Sequence, residues 1–178
     1  MKIYLPILGA ALVFITSQSS TAAVLITDFG PSATNGGSWS YNPATSTLSG
    51  IEGLGDLIFG SPSFADIGSN GQLSLTANVT TAPAAGFTVV LEDASFVTAT
   101  ATFDWADFIG GQTVVANLVP SIGFDSSNIV GWSLFSGGSG GSINATLDTL
   151  SAVPEPTTWA LAALGATSVL VLRRRRQV

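Results

Sequence analysis

The chain has 178 residues and a net charge of -6, and it contains neither histidine nor cysteine. Lysine and arginine occur only at its two ends, so residues 24–153 carry ten acidic side chains and no basic one. Nucleic-acid binding is excluded for this central region because neutralising phosphates requires Lys or Arg. Without His or Cys, the usual triad base, a thiolate nucleophile, disulfides and zinc sites of the common N/S type are excluded as well. The composition predicts one acidic domain without catalysis or a cofactor.

The first residues predict a secretory signal. Lys2 is followed by the apolar run Ile3 to Ile15, and the small residues Thr21, Ala22 and Ala23 come next. A charged start, an apolar segment and small residues in an A-x-A-like arrangement are typical of a signal peptide that signal peptidase removes. We expect residues 1–23 to form a signal helix cleaved after Ala23, with Ala22 as the nearest alternative. An uncleaved anchor is the other interpretation, but the apolar run is short for a membrane span.

The central region predicts an all-β fold. Hydrophobic and polar residues alternate in several runs, as in Gln72 to Val79, which is typical of strands with one buried face. Turn-forming residues separate the runs, and no stretch supports a long amphipathic helix. We expect one antiparallel β-sandwich or jelly-roll-like domain over residues 24–150. The predicted half-buried strands are 72–79, 97–103 and 143–147, the more deeply buried ones are 87–92, 113–119 and 129–135, and the shorter ones are 24–29, 38–41 and 57–59.

The segment Phe103 to Phe108 is the densest cluster of aromatic and acidic residues. On an exposed loop, Trp105 could stack on a sugar ring, while Asp104 and Asp107 could accept sugar hydroxyls or bind calcium. The alternative, which is the more common arrangement, is a strand end whose aromatic residues cap the core. The same two interpretations apply to Trp39 and Trp132.

The acidic residues show no motif that marks a catalytic pair. A glycosidase needs two facing carboxylates with different roles, and no carboxylate is singled out here by its sequence neighbours. We therefore expect no catalytic residues and no metal site beyond the possible calcium ligands. Repulsion among the carboxylates predicts instead that mild acid or divalent cations stabilise the domain.

The last residues carry three successive signals. Two prolines keep the chain extended around Glu155, residues 157–172 are uncharged and apolar, and four basic residues follow: Arg173, Arg174, Arg175 and Arg176. The apolar run would reach about 24 Å as a helix, close to the thickness of a hydrocarbon core. Clustered arginines stay cytoplasmic, so the preceding chain would lie outside. We predict a linker at 151–156, a transmembrane helix at 157–172 and a cytoplasmic tail at 173–178. A buried terminal helix or a basic nucleic-acid patch is the alternative.

The order of Val153, Pro154, Glu155 and Pro156, then a short apolar span, then terminal arginines resembles the PEP-CTERM sorting domain, which is also labelled the ice-binding protein C-terminal domain. The resemblance covers only the end of the chain. It implies recognition by an exosortase, a membrane-embedded cysteine protease or transpeptidase that acts at or near these prolines and releases the domain. Members of the family occur in bacteria that make exopolysaccharide and form biofilm.

Two functions follow for the outer domain. The first is an exported surface or extracellular-matrix protein, transiently anchored in the membrane and processed by an exosortase, with no catalysis of its own. The second is a carbohydrate-binding module that recognises the exopolysaccharide through Trp105, Trp39 or Trp132.

Overall fold

The computed structural model describes residues 22–63 and 66–155. In this part of the chain two six-stranded sheets face each other, and all neighbouring strands are antiparallel. The predicted all-β sandwich is confirmed. Most of the predicted signal helix and the whole predicted transmembrane helix lie outside the described residues. Within those residues, no helix is long and apolar enough to cross a membrane.

The chain crosses repeatedly between the two sheets. One 3-10 helix, η1 (Trp105–Phe108), follows the eighth strand. In chain order the strands are β1 (Val24–Thr27), β2 (Thr34–Gly36), β3 (Ser40–Asn42), β4 (Thr47–Ile51), β5 (Leu57–Gly60), β6 (Gln72–Thr81), β7 (Phe87–Asp93), β8 (Thr98–Phe103), β9 (Gln112–Asn117), β10 (Val119–Pro120), β11 (Ile129–Ser136) and β12 (Ser142–Val153).

The longest strands, β6 and β12, form the centre of the first sheet. Its order is β3-β4-β12-β6-β9, and β1 pairs with the C-terminal part of β12; we call it sheet A. Sheet B has the order β10-β8-β7-β11-β5-β2. Three edge strands, β2, β3 and β10, have only two or three residues each and leave few unpaired backbone groups open to another chain.

The alternating pattern of β6 shows why these segments form strands. Leu73, Leu75 and Val79 are buried against the core, while Asn78 on the opposite face is exposed. Each strand therefore removes one row of apolar side chains from water, which contributes about 25 cal/mol for every Å² buried. Since the domain has no basic side chain, burial and backbone pairing replace ion pairs as the source of its stability.

Several predicted features differ from the structure. Residues 129–135 were expected to be deeply buried, but β11 exposes Val130 and Phe135. Residues 113–119 were also expected to be deeply buried, but they form most of the edge strand β9 and the start of β10, which belongs to sheet B. Strand β9 is mostly exposed because it pairs with β6 on one side only. Residues 151–153, assigned to the linker, are the last part of β12. They continue the strand because Leu150 and Ala152 are fully buried and pair with both β6 and β1.

Candidate functional site

The predicted sorting segment begins inside the folded domain. Ala152, the next-to-last residue of β12, is fully buried and pairs with Leu73 of β6 and Val24 of β1. Val153 pairs with Gln72, and the strand ends there because Pro154 has no N–H to donate to a ladder. No free spacer therefore separates the sheet from the Pro-Glu-Pro motif.

The start of the described chain lies beside this motif. Strand β1 pairs antiparallel with β12, with Val24 opposite Ala152. The buried side chain of Asn70 bridges the two segments, since its Nδ2 lies 3.4 Å from the Ala22 carbonyl oxygen and 3.3 Å from that of Ala152. We call the residues Ala22–Val24, Asn70–Gly71 and Ala152–Glu155 the terminal corner.

Glu155 lies over the glycine of this corner. A Cβ atom on Gly71 would be only 2.9 Å from Cδ of Glu155, so residue 71 must lack a side chain for Glu155 to occupy this place. The carbonyl oxygen of Gly71 is held by the Leu118 N–H at 2.8 Å, which connects the corner to the crossing between β9 and β10. The Glu155 residue itself remains exposed.

The prediction that Trp105, Trp39 or Trp132 binds a sugar is wrong. Trp105 is 0% exposed, and Trp39 and Trp132 are each 2% exposed, so none of the three rings is open to a sugar. The rings of Trp105 and Phe87 lie 3.9 Å apart between their centroids, and Trp132 makes an edge contact with Phe29 at 5.2 Å. The alternative interpretation, in which these aromatic residues belong to the core, is confirmed.

The two acids beside Trp105 have separate surroundings. Asp104 caps η1 by accepting a hydrogen bond from the Ala106 N–H at 3.0 Å, while Asp107 is exposed. Among residues 22–63 and 66–155, no three acidic side chains converge as metal ligands would. The geometry thus gives Asp104 a structural role as a helix cap.

Sequence reasoning missed a buried carboxylate, Glu52, which is 1% exposed. Its Oε1 accepts from Trp105 Nε1 at 3.3 Å, and its Oε2 accepts from the Ser139 N–H at 3.0 Å and the Ser139 hydroxyl at 2.5 Å. Backbone hydrogen bonds also join Glu52 to Gly140 and Gly141. Glu52 therefore fixes the glycine-rich loop between β11 and β12 to the core, and nothing near it in the sequence indicated this partner.

Asp56 and Asp93 also have buried side chains that are hydrogen-bonded to N–H groups. Burial alone would raise the pKa of Asp56, but the N–H groups of Ser38 and Gly53 and the Ser38 hydroxyl outweigh it, so the pKa is lowered. The Asp125 N–H, at 2.8 Å, is the main cause of the lowered pKa of Asp93, and further N–H groups of residues 95 and 97 overcome the opposing effect of burial.

The outer face of sheet A is polar and almost uncharged. One cross-strand row consists of Asn42, Thr47, Thr146 and Asn78, which pair in that order across β3, β4, β12 and β6. Serine, threonine, asparagine and glutamine fill most of the other outward positions. Ile51 and Val115 are the exposed large hydrophobic residues of this face, and the outer face of sheet B exposes Phe59 and Phe135.

The comparisons identify the terminal segment. Residues 152–176 match the family model of the PEP-CTERM protein-sorting motif, which confirms the resemblance seen in the sequence. This motif indicates sorting by an exosortase, a membrane protein, and it indicates an exported protein that is transiently anchored in the membrane. No curated protein sequence matches the chain.

Solved structures with a similar fold include carbohydrate-active enzymes. An agarase, AgWH50C, is 11% identical with a TM-score of 0.52, and the match covers 75% of this chain and 25% of the agarase. CsCBM6-3 from Clostridium stercorarium, in complex with cellobiose, is 14% identical with a TM-score of 0.39, over 78% of this chain and 91% of that one. The chain thus spans a quarter of the agarase, and this likeness shows the fold alone.

Proposed function

We propose that the chain is an exported, non-catalytic surface or extracellular-matrix protein that an exosortase releases by cutting at or near Pro154, Glu155 and Pro156. The observation that carries this proposal is the direct join between the sorting motif and β12. Because the motif continues directly from a central strand, the domain that the exosortase would release is the sandwich itself. Before cutting, the tail would cross the membrane with its arginines on the cytoplasmic side. The sandwich would then lie on the opposite, outward-facing side, at the boundary between this membrane and water.

The acidic side chains support a role without catalysis. The three buried carboxylates, Glu52, Asp56 and Asp93, accept hydrogen bonds from the chain and hold loops in place. The sequence supplies no histidine, cysteine, lysine or arginine between residues 24 and 153 to act as base, nucleophile or electrophile. A matrix role needs only a stable, soluble domain.

Substitution of the motif tests this proposal. The full-length protein would be expressed in a cell that has an exosortase, with Pro154→Ala, Glu155→Ala and Pro156→Ala combined in one variant. The exposed substitution Asp148→Ala in β12 is the matched control. We expect the wild type and the control to leave the membrane fraction without their tail, while the triple variant stays in that fraction with its tail. Retention of the tail by the wild type would refute the proposal.

A second candidate function, binding of a neutral polysaccharide, is favoured by the outer face of sheet A. Sugar hydroxyls can exchange hydrogen bonds with Thr and Asn side chains, and an uncharged face avoids the cost of removing water from ions. Thr146 and Asn78, the exposed residues of the row that lie on the central strands β12 and β6, are the candidates for contact. Thr146 and Asn78, and not the buried tryptophans, are therefore the residues at which polysaccharide binding should be tested.

Paired substitutions on the two sheets provide that test. Thr146→Val keeps the β-branched shape and removes only the hydroxyl. Thr102→Val does the same on the outer face of sheet B, where the residue is also exposed. In a polysaccharide pull-down, we expect Thr146→Val to weaken retention and Thr102→Val to leave it unchanged. No retention of the wild type on any polysaccharide would eliminate this second function.

A further inference from the structure

The pairing of β1 with β12 sets the direction of residues 22 and 23, the last two residues of the predicted signal peptide. Val24 lies opposite Ala152 and Leu25 lies opposite Ser151. Because the two strands are antiparallel, the residues before Val24 continue in the direction of Val153 and Pro154. The contact of Ala22 with Asn70, which also holds Ala152, shows that the chain follows this direction.

The opposite side of the motif is already occupied. Val153 pairs with Gln72 of β6, and Glu155 lies over Gly71 just before that strand. The end of β12 therefore has one neighbour on each side: residues 70–72 on one, and residues 22–24 on the other. Only the second neighbour belongs to a segment that is predicted to be removed.

We propose that the end of the signal peptide covers one side of the sorting motif, so that signal peptidase must cut before the exosortase can bind. This inference rests on the proposed function. Extended peptides can bind along an open backbone edge, and the antiparallel course of β1 directs residues 23 and 22 towards the edge of Val153 and Pro154 that β6 leaves free. Hydrolysis of the Ala23–Val24 bond by water leaves the carboxylate on the departing peptide and an amino group on Val24. Strand β1, which begins at Val24, stays in place.

The same geometry explains how the domain can fold before either cut. Both predicted membrane segments leave the sandwich at the terminal corner, because Ala22 and Pro154 adjoin the same pair of strands. The fold can therefore close while both ends remain inserted. The order of cutting then depends on which site is accessible at this corner.

Two neighbouring alanines provide a matched test. Ala22 and Ala23 are both exposed, so a larger side chain at either position leaves the core intact. A signal peptide needs a small residue at the cleavage position but not at the position before it. Because cleavage after Ala22 is the nearest alternative, the uncleaved variant combines Ala22→Leu with Ala23→Leu. We expect this double variant to keep the signal peptide and to slow removal of the C-terminal tail at least about tenfold, corresponding to an open motif in a tenth of the chains or fewer. Ala22→Leu is expected to lose both segments as the wild type does, measured by pulse-chase and intact mass.

An insertion separates covering of the motif from other effects of a retained signal peptide. Gly-Ser-Gly-Ser placed between Val153 and Pro154 in the double variant would move the motif about 13 Å from the corner. We expect tail removal to return while the signal peptide stays attached. Failure of the insertion to restore tail removal would overturn the inference. Tail removal at the wild-type rate in a double variant that keeps its signal peptide would overturn it as well.

A disulfide reports whether the corner forms in the exported precursor. The chain has no cysteine of its own, so Val24→Cys with Ala152→Cys gives a single pair. Directly paired antiparallel residues lie about 4.5 to 5.5 Å apart between Cα atoms, within the range of a disulfide. We expect the bond to form in both alanine variants, and its absence would contradict the inference. A wild-type chain that keeps its tail despite losing its signal peptide would refute the proposed function instead.

Discussion

Trp105 provides the sharpest test of how the core is built. Its ring is fully buried against Phe87, and its Nε1 donates to the buried carboxylate of Glu52. Replacement by Phe keeps most of the ring and removes this donor. Glu52 Oε1 would then be left without its partner inside the protein, because that partner is the only donor within hydrogen-bond distance in the described part of the chain.

The magnitude follows from these two losses. A buried acceptor deprived of its donor costs about 1 to 3 kcal/mol, and the smaller ring leaves a cavity that adds about 1 kcal/mol. Trp105→Phe is therefore expected to lower the free energy of unfolding by about 2 to 4 kcal/mol. For a domain of about 130 residues, with an unfolding entropy of about 2.1 cal/mol/K per residue, the melting temperature falls by about 7 to 15 °C.

Urea unfolding of residues 24–155, followed by circular dichroism, measures this change. Asp107→Ala, an exposed substitution in the same helix, is the control and is expected to stay within about 0.5 kcal/mol of the wild type. A cycle with Glu52→Gln should give a coupling energy of about 1 kcal/mol. A Trp105→Phe domain that unfolds like the wild type but loses retention on a polysaccharide would show an exposed binding ring and refute the buried arrangement.

Further predictions concern pH, ions and the terminal corner. Asp56 and Asp93 have lowered folded-state pKa values, so their contribution is complete above the unfolded-state value of about 3.9 and is lost as the pH falls through the lower folded value. The midpoint of urea unfolding should therefore fall below about pH 4, whereas between pH 7 and 5 it should stay constant or rise as repulsion among the carboxylates is relieved. A constant midpoint down to pH 2 would contradict this. Calcium should raise the melting temperature by reducing carboxylate repulsion, and an unchanged melt would count against that expectation. Gly71→Ala should displace the Glu155 side chain and change the rate of tail removal, while Gly131→Ala, whose added Cβ meets nothing closer than 3.8 Å, should leave that rate unchanged.

The strands that could be predicted are those whose own sequence alternates. β6 and β8 alternate apolar and polar residues over most of their length, so one face is determined locally. β4 gave no such signal, although Leu48 within it is fully buried. It forms because β12 and β3 pair with it on both sides, which no local pattern reveals.

The site depended on contacts between distant residues. Asn70 is 48 residues from Ala22 and 82 from Ala152, so the terminal corner exists only after the sheet has formed. The burial of Trp105 could not be predicted for a similar reason, since it depends on how η1 packs against the core. The sorting motif, by contrast, was recognisable because its prolines, apolar run and arginines act in order along the chain.

Intact mass spectrometry of the protein released from cells tests the central claim most directly. We expect one species that begins at Val24 and ends at or near the Pro-Glu-Pro motif, with the whole sandwich retained. Recovery of a released chain that extends from Met1 to Val178 would contradict sorting by cleavage at the terminal corner.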